Sequence, residues 1–395
     1  MTVRRVLFVI NGLGTGGAER SLAELLPRLV DAGVEPVVSC MFVRPDGVER
    51  SIIEAGHRVA FLRSSTNLGR VLEVRRVIRA VMPDLIHTSI FESDVIGRVA
   101  AWGTNVPVVS SVVGITYGPE RLLDPNVRRW KLRAVREIDG WTARRLTSHL
   151  HAVSRAVKDA AVRSLRIPPE KVTVIERGRD RDRLGHPSME RRMRGRRELG
   201  IPADAEVVLS IGRLEHQKGH RHLIEAVDRI RDRARLLALV AGRDGHLSAD
   251  LKKQVRTLGL DDTVRFLGHR DDVPDLLAAA DALVLPSLSE GAAGAAIEAM
   301  ALGVPVVASD LPSLREVTEE GASGLLVPVA APEAIAGGIV RLLEDRTLAR
   351  ALGTRGREIF ERRFTLDRAV DRMIGMYRSV MERRQATPSV VREGA

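Results

Sequence analysis

The chain has 395 residues, 44% of them hydrophobic and 29% charged, with one cysteine and a formal charge of +11. That length suits two domains of ordinary size and the composition excludes a disordered or membrane-embedded chain, while a single cysteine excludes an internal disulfide or a cysteine-rich zinc site. Aromatic residues are only 3%, too few for the stacking platforms of single-strand nucleic-acid binding, so the excess charge points to a solvated face or an anionic membrane surface ahead of nucleic acid.

The chain opens with MTVRRVLFVI, a charged head and a short apolar run leading into a glycine loop. This reads as a first strand and not as a signal peptide, and no later run approaches the roughly 18 apolar residues of a spanning helix. A cytoplasmic location is expected. Short β-rich runs then alternate with helical stretches: RRVLFVI, EPVVSCM, HRVAFL, PDLIHT, VPVVSS, SHLHAVS and KVTVIE are predicted strands, separated by segments such as GAERSLAELLPRLVDAG with apolar residues at helical spacing. The alternation predicts a parallel sheet covered by helices on both faces.

The first strand runs into NGLGTGGAER, in which Gly12, Gly14 and Gly17 satisfy the dinucleotide pattern G-x-G-x-x-G. That pattern also wants an acid at the end of the second strand, where this chain has Ser39, Cys40 and Met41, so an NAD enzyme is disfavoured. HTSIFESD, His87 to Asp94, follows the fourth strand and offers His87, Glu92 and Asp94 as candidate acceptor contacts, against the plainer reading of His87 as a hydrogen-bonded structural residue. The series pauses at Arg177 to Ala205, charged and broken by Gly and Pro. The expected organisation is a first domain over 1–183, a linker over 184–201, a second domain over 202–364, a helix over 365–384 returning to the first domain, and a tail over 385–395.

The second series runs through EVVLSIG, RLLALVAG, TVRFLG, ALVLP, VPVVAS and SGLLVP. Two of its loops carry chemistry. SIGRLEHQKGH, Ser210 to His220, puts Arg213 and Lys218 around a turn that opens a helix, where two cations can neutralise a diphosphate without a metal. SEGAAGAAIEAMALGVPVVASD, Ser289 to Asp310, sets Glu290 in a loop and Glu298 in the next helix, with only small residues between them, so a ligand can approach the backbone and an anion the helix start. The plainer alternatives are solvated loop cations, an ordinary loop acid and a glutamate complementing the helix dipole.

Taken together these residues resemble the retaining glycosyltransferases of the GT-B fold, family 4-like and of the glutamate-x7-glutamate type. GRLEHQKG looks like that family's phosphate loop and SEGAAGAAIEAMALGVPVVASD like its glutamate motif; AVSRAVKDA and VIERGRDRDRLG resemble two further segments that end the first domain. The resemblance implies an α/β fold of two doubly wound, Rossmann-like domains facing a central cleft. It implies a metal-independent enzyme without a cofactor that moves a sugar from a UDP- or GDP-sugar to an unidentified acceptor, with retention. Arg213, Lys218 and Glu290 would be catalytic. Donor contacts would come from Gly16, Gly17, Gly212, Arg213, Lys218, Glu290, Gly291, Ala292, Ala293, Gly294 and Glu298, with Glu298 on the ribose. His87, Glu92 and Tyr117 would face the acceptor, with Glu120 a weaker candidate.

The chain departs from the family at two places. Val113 and Gly114 stand where many members carry a cleft histidine, and the usual asparagine-glycine-valine-aspartate turn reads Arg177, Gly178, Arg179, Asp180. The acids Asp180 and Asp182 resemble a metal-binding pair but lack a strand end, so they read as a turn. Rival readings are a sugar-nucleotide epimerase of the same fold, or a basic membrane- or nucleic-acid-binding protein that keeps the scaffold. Arginine clusters at Arg128 to Arg136 and Arg191 to Arg197 are the expected contacts to an anionic membrane or acceptor.

Overall fold

The computed structural model describes residues 3–43, 47–118, 127–233 and 235–386. Within these, the chain forms two compact units: the first takes 3–43, 47–118, 127–178 and 366–386, the second 179–233 and 235–365. Glu120 and, of the expected tail over 385–395, the residues from Thr387 onward lie outside the described residues.

The first unit is built on seven parallel strands, β1 (Arg5–Gly12), β2 (Glu35–Phe42), β3 (Arg58–Phe61), β4 (Leu85–Ser89), β5 (Val108–Val112), β6 (His149–Ala152) and β7 (Val172–Val174). Their order is β3-β2-β1-β4-β5-β6-β7. Every side chain from Val6 to Ile10 is buried, as expected of a strand covered on both faces. On one face the helix Gly17–Asp31 inserts Leu22, Leu26 and Leu29, and the helix Leu366–Ala386 joins the same core through Val370, Met373, Ile374, Tyr377 and Val380. The helices Asn67–Val81 and Phe91–Ala101 cover the other face.

The second unit repeats the plan with β8 (Glu206–Ile211), β9 (Leu236–Ala241), β10 (Val264–Gly268), β11 (Ala282–Leu285), β12 (Val306–Ser309) and β13 (Gly324–Val327), in the order β10-β9-β8-β11-β12-β13 and parallel throughout. Strand order reverses between β8 and β11, which pair directly. Such a switch point is where the loops leaving two neighbouring strands part and open a crevice. The two loops singled out in the sequence are the ones that follow β8 and β11.

The expected linker over 184–201 is instead an integral part of the second unit. Ser188 caps a helix over Met189–Glu198, and Leu184, Ile201 and Ala205 join the second unit's core. Arg196 is 1% exposed: it donates to the carbonyls of Ala279, Ala203 and Ala205 and pairs with Asp281 at 3.0 Å. Arg192 also pairs with Asp281, and Arg191 with Asp275. A segment poor in large apolar residues therefore docks through arginines, and most of the Arg191 to Arg197 cluster is committed inward. Asp180 accepts from the backbone N–H groups of Asp182 and Arg183, so it caps a short helix, Arg181–Leu184, of which Asp182 is a member.

Candidate functional site

In the second unit the loop after β8 makes a short 3-10 turn, His216–Lys218, before the helix His220–Arg229. Gly219 sits between them at φ +66°, and a Cβ there would overlap the carbonyl oxygen of Pro286 at the end of β11. This close approach clips the two loops together, and the Leu288 N–H completes it by donating to Gln217 O at 2.9 Å. Lys218 then lays its aliphatic stem across Gly212, where a Cβ would stand 3.0 Å from it. Its Nζ donates to Glu290 Oε2 at 2.7 Å. The Ser313 hydroxyl donates to the Glu290 backbone carbonyl at 2.8 Å, fixing the loop from below. Arg213 is 56% exposed and bonds Glu215 Oε1 at 2.8 Å. His220 supports the loop from inside: its Nε2 lies 3.2 Å from Gly212 O, and burial lowers its pKa to about 4, so the ring is neutral.

Beyond Glu290 the side chains of Ala292 and Ala293 are buried, and Ala293 adopts left-handed backbone angles, φ +45° and ψ 47°, immediately before the helix Gly294–Ala301. A residue with a Cβ rarely takes this conformation, at a cost of about 1–2 kcal/mol. Placed next to a helix start, it turns successive N–H groups toward one side, an anion-binding arrangement. Glu298 lies in the second turn of that helix and is 15% exposed, with Arg179 Nε donating to its Oε1 at 2.7 Å. Arg213, Lys218, Glu290, Glu298 and the Gly291–Gly294 backbone thus belong to two loops joined at the switch point, and Arg179 is a member that sequence reasoning passed over as part of an altered turn.

In the first unit the glycine loop after β1 leads to the helix Gly17–Asp31. The Glu19 carboxylate folds over Gly16, leaving no room for a Cβ, and the Arg177 guanidinium lies against Gly17, 2.5 Å from where a Cβ would be; Gly14 faces open space. At the end of β4, Ile90 has φ +81°, an outlier for a β-branched residue, and leads into the helix carrying Glu92. Glu92 is exposed and accepts from Asn11 Nδ2 at 3.1 Å.

His87 is not at that loop. It is in the middle of β4, 3% exposed, so the expected acceptor contact is corrected to a core residue. Its Nδ1 is 2.5 Å from Tyr377 Oη and its Nε2 2.6 Å from Ser111 Oγ, which is 2.8 Å from His151 Nδ1; His151 Nε2 meets the Ile175 carbonyl at 2.8 Å. The carbonyl can only accept, so His151 Nε2 carries the proton, and the direction of every other bond follows: Ser111 donates to His151, His87 to Ser111, and Tyr377 to His87. Burial keeps both rings neutral, lowering His87 to about 3 and His151 to about 4.

Asp94 is likewise internal. It accepts from Thr88 at 2.5 Å, lies 3.8 Å from the buried Arg98, and is pushed up to about 7 by burial. Tyr117 is partly exposed and donates to Asp139 Oδ2 at 2.8 Å, while Arg98 pairs with Asp139 Oδ1 at 2.7 Å. Tyr117 is therefore tied to a buried ionic network through its hydroxyl. Among the described residues, no three His, Cys, Asp or Glu side chains gather to hold a metal ion, and no helix is long and apolar enough to cross a membrane.

Residues 192–359 match the model of the glycosyl transferases group 1, and residues 15–183 that of glycosyltransferase family 4. An uncharacterized glycosyltransferase of Methanocaldococcus jannaschii is 30% identical over 233 residues, 58% of this chain, which spans 60% of that protein's length. The D-inositol 3-phosphate glycosyltransferase of Acidothermus cellulolyticus is 31% identical over 322 residues, 77% of this chain and 69% of that protein. The crystal structure of Anabaena HepE in complex with UDP and glucose superposes with a TM-score of 0.84 at 26% identity, covering 95% of this chain and 100% of that one.

Proposed function

The chain belongs to the group 1 and family 4 glycosyltransferases of the GT-B fold, and from that premise we propose that it moves a sugar, with retention, from a UDP- or GDP-sugar to an acceptor. The observation that carries the reading is the meeting of Lys218 with Glu290 at 2.7 Å, beside a helix start preceded by a left-handed alanine. A cation, a carboxylate and aligned N–H groups are what a sugar joined to a diphosphate requires at its two ends. The structural likeness to HepE with UDP and glucose supports a nucleotide-sugar donor.

On this reading Lys218 and Arg213 bind the diphosphate, Glu290 receives hydroxyls of the transferred sugar, Glu298 receives the ribose, and the amides of Gly291 to Gly294 complete the cradle, with Gly212 giving room for the Lys218 stem. As the glycosidic bond breaks, negative charge grows on the departing diphosphate, and cations already in position stabilise that change without reorganisation. The leaving group then needs no divalent metal. Gly16 and Gly17 of the first unit are carried as further proposed donor contacts, and Glu92 and Tyr117 as the remaining candidates for the acceptor. Supplying UDP- and GDP-sugars with an acceptor extract and reading the product's anomeric configuration by NMR tests retention.

An anionic membrane surface is the further partner. Helix Arg129–Leu146 exposes Trp130 at 64% and Trp141 at 51%, eleven positions and so three turns apart, hence on one face. Arg128, Arg129, Lys131, Arg133 and Arg145 are exposed around them. Tryptophan flanked by arginine is the pattern of a helix lying at a bilayer interface. This supports a peripheral location and an acceptor presented at a lipid surface.

A further inference from the structure

Among the described residues, Arg179 is the first of the second unit. Its N–H donates to Phe364 O at 2.8 Å, and it forms an isolated bridge with Thr365, so its backbone is fixed where the chain enters and leaves the unit. Its side chain is 5% exposed and reaches a carboxylate 119 positions away, Glu298 Oε1, at 2.7 Å. A terminal nitrogen of the same guanidinium rests against Gly294, 2.5 Å from where a Cβ would be. One side chain thus touches both the first residue of the helix Gly294–Ala301 and the glutamate in its second turn, and the glycine at 294 is what admits it.

Resting on the nucleotide-sugar reading, we infer that Arg179 is a positioning residue of the donor site: it fixes the Glu298 carboxylate for ribose recognition and adds positive charge beside the helix start that faces the diphosphate. A free glutamate side chain loses up to about 2 kcal/mol of rotamer freedom when a ligand orders it. Here that ordering precedes the ligand, because the guanidinium already holds the carboxylate by a hydrogen bond in a mostly buried place. With Oε1 committed to Arg179, Oε2 is the oxygen that receives a hydroxyl. A lysine cannot replace this contact, because only the planar guanidinium presents Nε–H to the carboxylate while a terminal nitrogen lies on Gly294.

The test is calorimetric titration of the full chain with UDP and with GDP, alongside steady-state kinetics with the matching sugar nucleotide, for wild type, Arg179→Lys, Arg179→Gln, Glu298→Gln and the Arg179→Gln/Glu298→Gln double variant. Both Arg179 variants are expected to weaken nucleotide binding roughly tenfold or more, the scale of one charge-assisted hydrogen bond. Donor KM should rise more than kcat falls, and the double variant should lose little beyond Glu298→Gln alone, since both changes remove one contact. Arg179→Lys keeps the charge in the buried position and serves if Arg179→Gln does not fold. Variants that melt earlier yet bind nucleotide as wild type does would make the pair purely structural and overturn the inference, as would additive losses in the double variant. Wild type that binds neither UDP nor GDP would overturn the nucleotide-sugar reading itself, and the role of Arg179 with it.

Discussion

Lys218 Nζ lies 2.7 Å from Glu290 Oε2, although 72 residues separate them in sequence. The pair is mostly buried, with side-chain exposures of 22% and 15%. A diphosphate would compete with Glu290 for the lysine while sugar hydroxyls take up the released carboxylate, so both partners change hands when donor binds. Replacing Lys218 or Arg213 with alanine is expected to lower kcat by roughly 10²- to 10³-fold, the scale of one preorganised electrostatic group, and Glu290→Gln should also reduce turnover. Arg213→Lys should restore only part of the loss, because an ammonium cannot bridge two phosphate oxygens. Near-normal kcat in both alanine variants, with unchanged circular dichroism, would remove the cations from the chemistry.

Turnover is expected to persist in EDTA. On the proposed reading, Arg213, Lys218 and the helix start would supply positive charge where a metal would otherwise act on the leaving group. Loss of activity in chelator, restored by magnesium or manganese, would contradict that assignment.

Stability should fall as the solution is acidified from pH 6.5 toward 4. His87, His149, His151 and His220 are held neutral by burial, the first at about 3 and the others at about 4. A histidine with a depressed folded pKa contributes stability that is full above its unfolded value near 6.5 and is lost as pH drops toward the folded one, by up to about 1.4 kcal/mol per pH unit. Asp94, raised to about 7, has the opposite slope over much of this window, but it is one group against four. The melting temperature should therefore be lower at pH 5 than at pH 6.5, and a flat or rising trend would contradict the neutral, directional chain from Tyr377 to Ile175.

Vesicles containing phosphatidylglycerol should pellet the protein, and pure phosphatidylcholine vesicles should not. Tryptophan emission should shift to the blue on binding. Trp130→Ala/Trp141→Ala should weaken binding at least tenfold, since each aromatic ring removes well over a kilocalorie per mole of apolar burial. Equal binding to both vesicle types, or binding to RNA with no preference for lipid, would return these residues to another role.

The strands were readable because a segment buried on both faces of a parallel sheet must be apolar along its whole length, as in Val6 to Ile10 and Leu236 to Ala241. The positions of the loops after β8 and β11 were readable because glycine and polar residues break off a buried apolar strand. Arginine defeated the reading: Arg192 and Arg196 look solvated in sequence, yet Arg192 reaches Ala280 and Asp281 and Arg196 reaches Ala279 and Asp281, all more than eighty positions away. Arg179 was obscured for the same reason. His87 resembled a strand-end residue because its true partner, Tyr377, lies 290 positions on, in a helix whose docking face no local pattern reveals.

The central claim is tested most directly by incubating the protein with a panel of UDP-, GDP-, ADP- and TDP-sugars and measuring release of the nucleoside diphosphate, which identifies the donor before any acceptor is known. Slow hydrolysis of one UDP- or GDP-sugar, abolished in Lys218→Ala, is the predicted result. A well-folded protein that binds and cleaves none of the panel, with or without a cell extract as source of acceptor, would contradict the account.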